Sequence, residues 1–239
     1  MFKVIDTPLP INQYYPYEVE KKQIILHHTA SDPFSPLGDI NSWNSDTLRI
    51  ATYAIISHNG DVNKCFKSTQ WAASIGLKAA TLKQMGYKDY GTRNVMLDIG
   101  AIAIEIDAWG GLVLGDGKTK QFGSKGNQPH FVNTIPGKFY NAYGNVVSDK
   151  LEVEQCNWRG FNFFQKYSDA QIQTLSELLP LLMKANNIPN YGIRDGNLNV
   201  RRDAINGNRG IFSHSSYRSD KSDIYPDARL IGMLNNLKL

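Results

Sequence analysis

The stretch AIAIEIDAW, residues 101 to 109, limits the possible folds more than any other part of the chain. Side chains alternate across a strand, so Ile102, Ile104 and Ile106 share one face and Ala101, Ala103, Glu105 and Asp107 the other. The isoleucine face needs an apolar layer to cover it. The opposite face is a floor of small residues carrying carboxylates, which fits either a half-exposed sheet surface or the base of a site.

Other segments supply the partners such a strand needs. QIILHH, residues 23 to 28, is apolar without alternation and reads as a buried strand. ATYAIISHNGDVNKCFK, residues 51 to 67, reads as a hairpin in which Asn59-Gly60 provides the positive φ angles of a type I′ turn. A short helix is expected near residues 40 to 47. A longer one is expected from Ser168, because Ser168 and Gln171 fit a capping box and Ile172, Leu175, Leu178, Leu179 and Leu182 form a stripe at helical spacing. Pro180 is expected to bend that helix or end it early. A last helix is expected from Pro226, burying Leu230, Leu234 and Leu237. Strands interspersed with helices imply an α/β fold with a mixed central sheet flanked by helices.

The first twenty residues, rich in proline and tyrosine, read as an irregular arm laid against the body. Residues 110 to 160 are rich in Gly, Asn, Lys and Tyr and have too few periodic apolar positions for a core of their own. They are expected to be an irregular insertion, with short possible strands and no clear helix, within a single domain spanning residues 1 to 239, and such excursions are often functional.

Composition narrows the class without choosing a function. With 239 residues and 41% apolar residues, the chain can bury a proper core without staples. No apolar run approaches the roughly 20 residues of a membrane helix. The N-terminus lacks a basic start followed by an apolar run and a small-residue cleavage site, so synthesis in the cytoplasm without a signal peptide is expected. Cys65 and Cys156 make no disulfide framework. The net charge of +4 comes from scattered Lys and Arg, compatible with approach to an acidic polymer but selecting neither nucleic acid nor an anionic cell wall.

The chemistry gathers in SHSSYRSDKSD, residues 213 to 223. If Lys221-Ser222-Asp223 is extended, the ammonium of Lys221 and the carboxylate of Asp223 point to the same side. A catalytic zinc needs three protein ligands and an open position. His214 and Asp223 can supply two of them. Of the other histidines, His58 belongs to the hairpin turn and His130 to the insertion, and both read as structural or exposed. His27 and His28 point to opposite faces of their strand, and spacing alone does not choose between them.

QIILHHTA, TYAIISHNGDV, AIAIEID and SHSSYRSDKSD, in this order, resemble the zinc-dependent N-acetylmuramoyl-L-alanine amidases of type 2. That superfamily includes the phage amidase lysozymes and the peptidoglycan recognition proteins. The resemblance runs from about residue 23 to residue 234 and leaves residues 110 to 160 unmatched. It implies that His27, His214 and Asp223 hold zinc. It further implies that Glu105 carries the proton from water to the leaving amine and that Lys221 stabilises the oxyanion. Tyr53 and Trp71 are the candidate substrate contacts. A family tyrosine on the hairpin strand aligns with Thr52, one residue short of Tyr53, and a WHAG-like block is reduced to Trp71-Ala72-Ala73, where Trp71 is either cleft wall or core. The implied activity is hydrolysis of the amide between N-acetylmuramic acid and L-alanine of bacterial peptidoglycan. The expected bearer is a monomeric, phage-type endolysin that binds no nucleic acid and reaches the wall through a permeabilised membrane. A peptidoglycan recognition module without catalysis, a cytoplasmic muropeptide-recycling amidase and a zinc peptidase cutting within the stem peptide are the alternatives.

Overall fold

A computed structural model describes residues 2–45, 48–125 and 128–237. In chain order its strands and helices are β1 (Val4–Asp6), β2 (Gln23–His28), α1 (Pro36–Ser45), β3 (Ala54–Ile56), β4 (Val62–Lys64), α2 (Ala79–Gln84), α3 (Tyr90–Gly100), β5 (Ala101–Ile106) and β6 (Gly111–Leu114). They continue with β7 (Thr119–Lys125), β8 (Gln128–Asn133), β9 (Phe139–Tyr140), β10 (Val153–Trp158), β11 (Phe161–Gln165), α4 (Asp169–Asn186), α5 (Arg202–Ile205), β12 (Gly210–Ser213) and α6 (Ala228–Asn236).

The central sheet is mixed, with strand order β1-β4-β3-β5-β2-β12. Strands β3, β5, β2 and β12 run parallel, and β3 and β4 form the antiparallel hairpin. Parallel strands are normally covered on both faces, and every residue of β2 is buried. Ile102, Ile104 and Ile106 pack with Ile24, Leu26 and Ile56 against Leu175, Leu179 and Met183 of α4. The opposite face carries Ile25, Ala101 and Phe212 against α2, α3 and α5 near one end of the strands. Ala103 and Glu105 continue that face toward the C-terminal ends, where the cleft opens.

Several local expectations are revised. Only Gly60 of the hairpin loop has a positive φ (+87°), and its N–H donates to the Ser57 carbonyl while Ser57 N–H donates to Asp61. The loop is therefore one residue longer than a type I′ turn. The first helix begins at Pro36 rather than near Ile40, and Thr47, where it was expected to end, lies outside the described residues. Helix α4 has the predicted capping box but runs through Pro180 to Asn186. The hydrogen bond that proline forfeits falls on the Ser176 carbonyl, on a half-exposed turn where water can replace it. The last helix starts after Pro226: Asp227 is its cap, accepting from the N–H groups of Arg229 and Leu230, and Leu237 is only partly buried. The N-terminal arm is not wholly irregular, since β1 adds in parallel to β4.

The insertion is the largest revision. Strands β10, β11, β6 and β9 form a second sheet, and β7 and β8 a separate hairpin. Leu112, Val147 and Leu151 are buried there among Trp109, Phe139 and Phe163. Their contacts are between distant segments, so no local periodicity announces them.

His28 faces away from the cleft floor, with its Nδ1 3.2 Å from the Tyr167 hydroxyl. Gly110, at φ +70°, passes so close that a Cβ there would lie 2.2 Å from His28 Nε2. Burial pushes the His28 imidazole down to about 4. The unfolded chain therefore binds a proton at this histidine that the folded chain refuses between about pH 6.5 and 4. Its contribution to stability is complete above that window and is lost as pH falls through it, up to roughly 3 kcal/mol. In denaturant titrations of the metal-free protein, His28→Gln should lose less stability than wild type between pH 7 and pH 4. Parallel pH profiles would refute this account.

Candidate active site

Parallel pairing aligns equal steps of neighbouring strands. His27 of β2 stands beside Glu105 of β5, and Ile55 of β3 flanks Glu105 on its other side. Strand β12 pairs Ser213 with Leu26, so His214, one step further, arrives next to His27. The chain then turns through a short 3₁₀ segment, His214–Ser216, and Asp223 returns with its carbonyl accepting from Ser215 N–H.

The outcome is a compact, buried donor set. His27 Nδ1 lies 3.1 Å from His214 Nδ1 and 3.2 Å from Asp223 Oδ2, and His214 Nδ1 lies 2.9 Å from that oxygen. Ligands bound at roughly 2.0–2.1 Å to a tetrahedral zinc stand about 3.3–3.4 Å apart. The three atoms thus occupy approximately three corners of such a tetrahedron. Among the described residues this is the one group of three His, Cys, Asp or Glu side chains close enough to hold a metal ion. His214 Nε2 lies 2.8 Å from the Ile75 carbonyl, a partner that can only accept. This bond keeps a proton on Nε2, so that with a metal bound Nδ1 would be the ligating atom; without one, Nδ1 faces the acceptor-only Asp223 Oδ2 at 2.9 Å. The donor set therefore fits zinc chemically as well as spatially.

Electrostatics agrees. Burial, with His214 alongside, pushes His27 down to about 4, so its ring is neutral at ordinary pH. Burial opposes a charge on Asp223, but His214 and His27 outweigh it and hold the carboxyl well below the usual range. Glu105 behaves oppositely. Burial and the nearby acids Asp223 and Asp39 push it well above the usual carboxyl range, against the pull of Lys221. Its Oε2 is buried without a hydrogen-bond partner.

These groups line a cleft of about 340 Å³ that contains His27, Glu105, His214, Lys221 and Asp223. Lys221, Ser222 and Asp223 form neither helix nor strand, and all three line the cleft. Trp43, Ile50, Thr52 and Tyr143 complete its walls. Tyr143 comes from the insertion and is 59% exposed. Nothing in its local sequence distinguishes it from the other tyrosines there.

The two remaining candidates are elsewhere. Tyr53 N–H donates to the Ala103 carbonyl, two residues short of Glu105, and its side chain packs below the cleft floor. The chain bends at Tyr53 just before β3, and the residue that reaches the cleft is Thr52. Trp71 stacks on Tyr15 of the N-terminal arm, ring centroids 3.8 Å apart, and is absent from the cleft wall. Of the other two histidines, His58 is half-buried and lies edge-on to Phe34, 5.1 Å between centroids, and His130 sits in the β7–β8 hairpin away from the cleft. If the cleft wall contacts a ligand, Tyr143→Ala should raise KM at least several-fold with little change in kcat, and Tyr53→Phe should change neither. Steady-state kinetics on a soluble substrate would check both, and an unchanged KM in the Tyr143 variant would remove that residue from the binding surface.

No family model and no curated protein matches this sequence. Among solved structures, the chain is similar to PlyL, at 12% identity and a TM-score of 0.51, over 100% of this chain and 98% of that one. A mutant endolysin from Bacillus subtilis is similar at 12% identity and a TM-score of 0.49, over 98% of this chain and 99% of that one. The N-acetylmuramoyl-L-alanine amidase LysC from Clostridium intestinale is similar at 12% identity and a TM-score of 0.44, with the same coverage. At this level of identity the likeness is one of architecture: the chain has the α/β fold of PlyL, a mixed central sheet flanked by helices.

Proposed function

We propose that this protein is a zinc-dependent peptidoglycan hydrolase that cleaves the amide between N-acetylmuramic acid and the L-alanine of the stem peptide. The observation that carries the reading is the convergence of His27 Nδ1, His214 Nδ1 and Asp223 Oδ2 within 2.9–3.2 Å, beside a buried Glu105 with an unpartnered oxygen. The four ordered sequence blocks and the endolysin and amidase names among its structural neighbours support the substrate class.

In this reading His27, His214 and Asp223 hold the metal. Zinc in such a site supplies a Lewis acid that polarises a carbonyl and brings the pKa of water toward neutrality. Glu105 Oε2 takes the proton of the attacking water and returns it to the departing alanine nitrogen. A carboxyl whose proton affinity is raised suits a group that must both accept and give a proton near neutral pH. The Lys221 ammonium, on the cleft wall, stabilises negative charge on the carbonyl oxygen. Ala103, two residues before Glu105 on the same strand face, is too small to crowd it.

We read residues 1 to 239 as one catalytic unit with the insertion as a cleft wall, acting as a monomer on the bacterial cell wall in the manner of an endolysin. No helix among the described residues is long and apolar enough to cross a membrane. A recognition module that binds muropeptide without cutting is the contrasting reading, and the complete donor set with Glu105 and Lys221 favours the enzyme.

The decisive experiment couples zinc content to cleavage. Wild type should hold one zinc per chain and release peptides with a new N-terminal alanine from purified sacculi, identified by mass spectrometry. His214→Ala should lose both properties. Glu105→Gln should keep its zinc and lose turnover by roughly 10²–10⁴-fold, the usual contribution of a general base. Muropeptide binding with neither zinc nor cleavage would establish the recognition module instead, and products cut within the stem peptide would make it a peptidase.

A further inference from the structure

The tautomer of His214 depends on the Ile75 carbonyl, so whatever aims that carbonyl controls the donor set. Ile75 lies in an irregular loop between the hairpin and α2, with no ladder to hold it. Helix α3 holds it instead. Asp98 Oδ1 accepts from the N–H groups of Ser74 and Ile75, both at 3.0 Å, and Asn94 Oδ1 accepts from Leu77 N–H at 2.6 Å. Asn94 and Asp98 are one helical turn apart, and Asn94 Nδ2 donates to Asp98 Oδ2 at 3.3 Å. The peptide that carries the Ile75 carbonyl is therefore anchored on both sides.

Asp98 is a costly residue for a mere loop clip. It is 2% exposed, and a buried carboxylate needs compensation. Burial pushes the Asp98 carboxyl up, and the N–H groups of Ser74 and Ile75 oppose that shift. Lys21, itself 1% exposed and pushed down to about 7 by burial, feels Asp98 nearby and donates from Nζ to the Ile99 carbonyl at the end of α3 at 2.8 Å.

We propose that Asp98, assisted by Asn94, is a positioning residue for the metal centre: it aims the Ile75 carbonyl at His214 Nε2 and so holds the ring with Nδ1 turned toward His27 and Asp223. The inference rests on the metal reading above for its purpose, but its geometry can be tested without metal. In the zinc-free full chain with ¹⁵N-labelled histidine, ¹H–¹⁵N spectra should show a hydrogen-bonded proton on His214 Nε2, the atom facing the Ile75 carbonyl. Asp98→Ala should give mixed tautomers and weaken zinc, measured by chelator competition, by about 10–100-fold, the usual effect of losing an outer-shell partner. Asp98→Asn retains an acceptor oxygen for both N–H groups and should return zinc affinity to within a few-fold of wild type.

If Asp98→Ala does not fold, Asn94→Ala carries the same test. It removes the Leu77 anchor and the support to Asp98 Oδ2 but leaves the Asp98 bonds to Ser74 and Ile75, and should shift tautomer and zinc affinity in the same direction, by about 3–10-fold. A folded variant at either position with wild-type tautomer and wild-type zinc affinity would overturn the proposal and reduce the clamp to a stabilising contact. If wild type binds no zinc, the metal reading fails, while the tautomer spectra still decide whether Asp98 governs His214.

Discussion

Everything chemical in this structure depends on the register of three adjacent parallel strands. Because β12, β2 and β5 run the same way and pair in step, the residues ending them stand abreast at one edge of the sheet. His27 of β2, His214 just past the end of β12 and Glu105 of β5 meet there, and the loop that follows His214 returns to add Lys221 and Asp223. A slip of one residue in β2 would exchange His27 for His28 and bury the wrong imidazole against Tyr167. The apolar side chains of the ladder hold the register, with Ile24, Leu26, Ile102 and Ile104 locked against α4. Core packing and ligand placement are thus one constraint.

The site also contrasts charged and neutral groups within a small volume. Against the cost of burial, hydrogen bonding and charge from His214 and His27 hold Asp223 well below the usual carboxyl range, while burial and neighbouring acids push Glu105, a strand away, well above it. Environment alone separates two acids of nearly equal intrinsic strength. A carboxyl that readily ionises and one that retains its proton are made from the same functional group.

How much of this could be read from the chain follows the range of the interactions. Period-two alternation in AIAIEID and the run QIILHH revealed both strands, the opposition of His27 and His28, and the face of Glu105, because those properties are local. The choice of His27 over His28 needed the ordered motif blocks, and the strand register now agrees with it. Tyr53 was misjudged because a bend in the chain just before β3 leaves Thr52, not its neighbour, in the cleft. Trp71 was left open between cleft wall and core because its stacking partner, Tyr15, is 56 residues away and in an arm expected to be irregular. The sheet in the insertion was missed because β6 pairs with β9 and β11 across long separations. The Asp98 clamp left no signal at all, since its output is a backbone carbonyl.

The insertion has one attachment whose meaning differs from that of a cleft wall. At the tip of the β10–β11 hairpin, Trp158 Nε1 donates to the Ser222 carbonyl at 3.0 Å, and Arg159 Nη1 donates to the Ser219 carbonyl at 2.8 Å. These bonds grip the loop that carries Lys221 on its way to Asp223. The segment unmatched by the motif blocks therefore acts as scaffolding for the last of them. Anyone trimming the chain to a minimal catalytic core, or grafting its insertion onto a related scaffold, has to treat residues 153 to 165 and 218 to 223 as one exchangeable block.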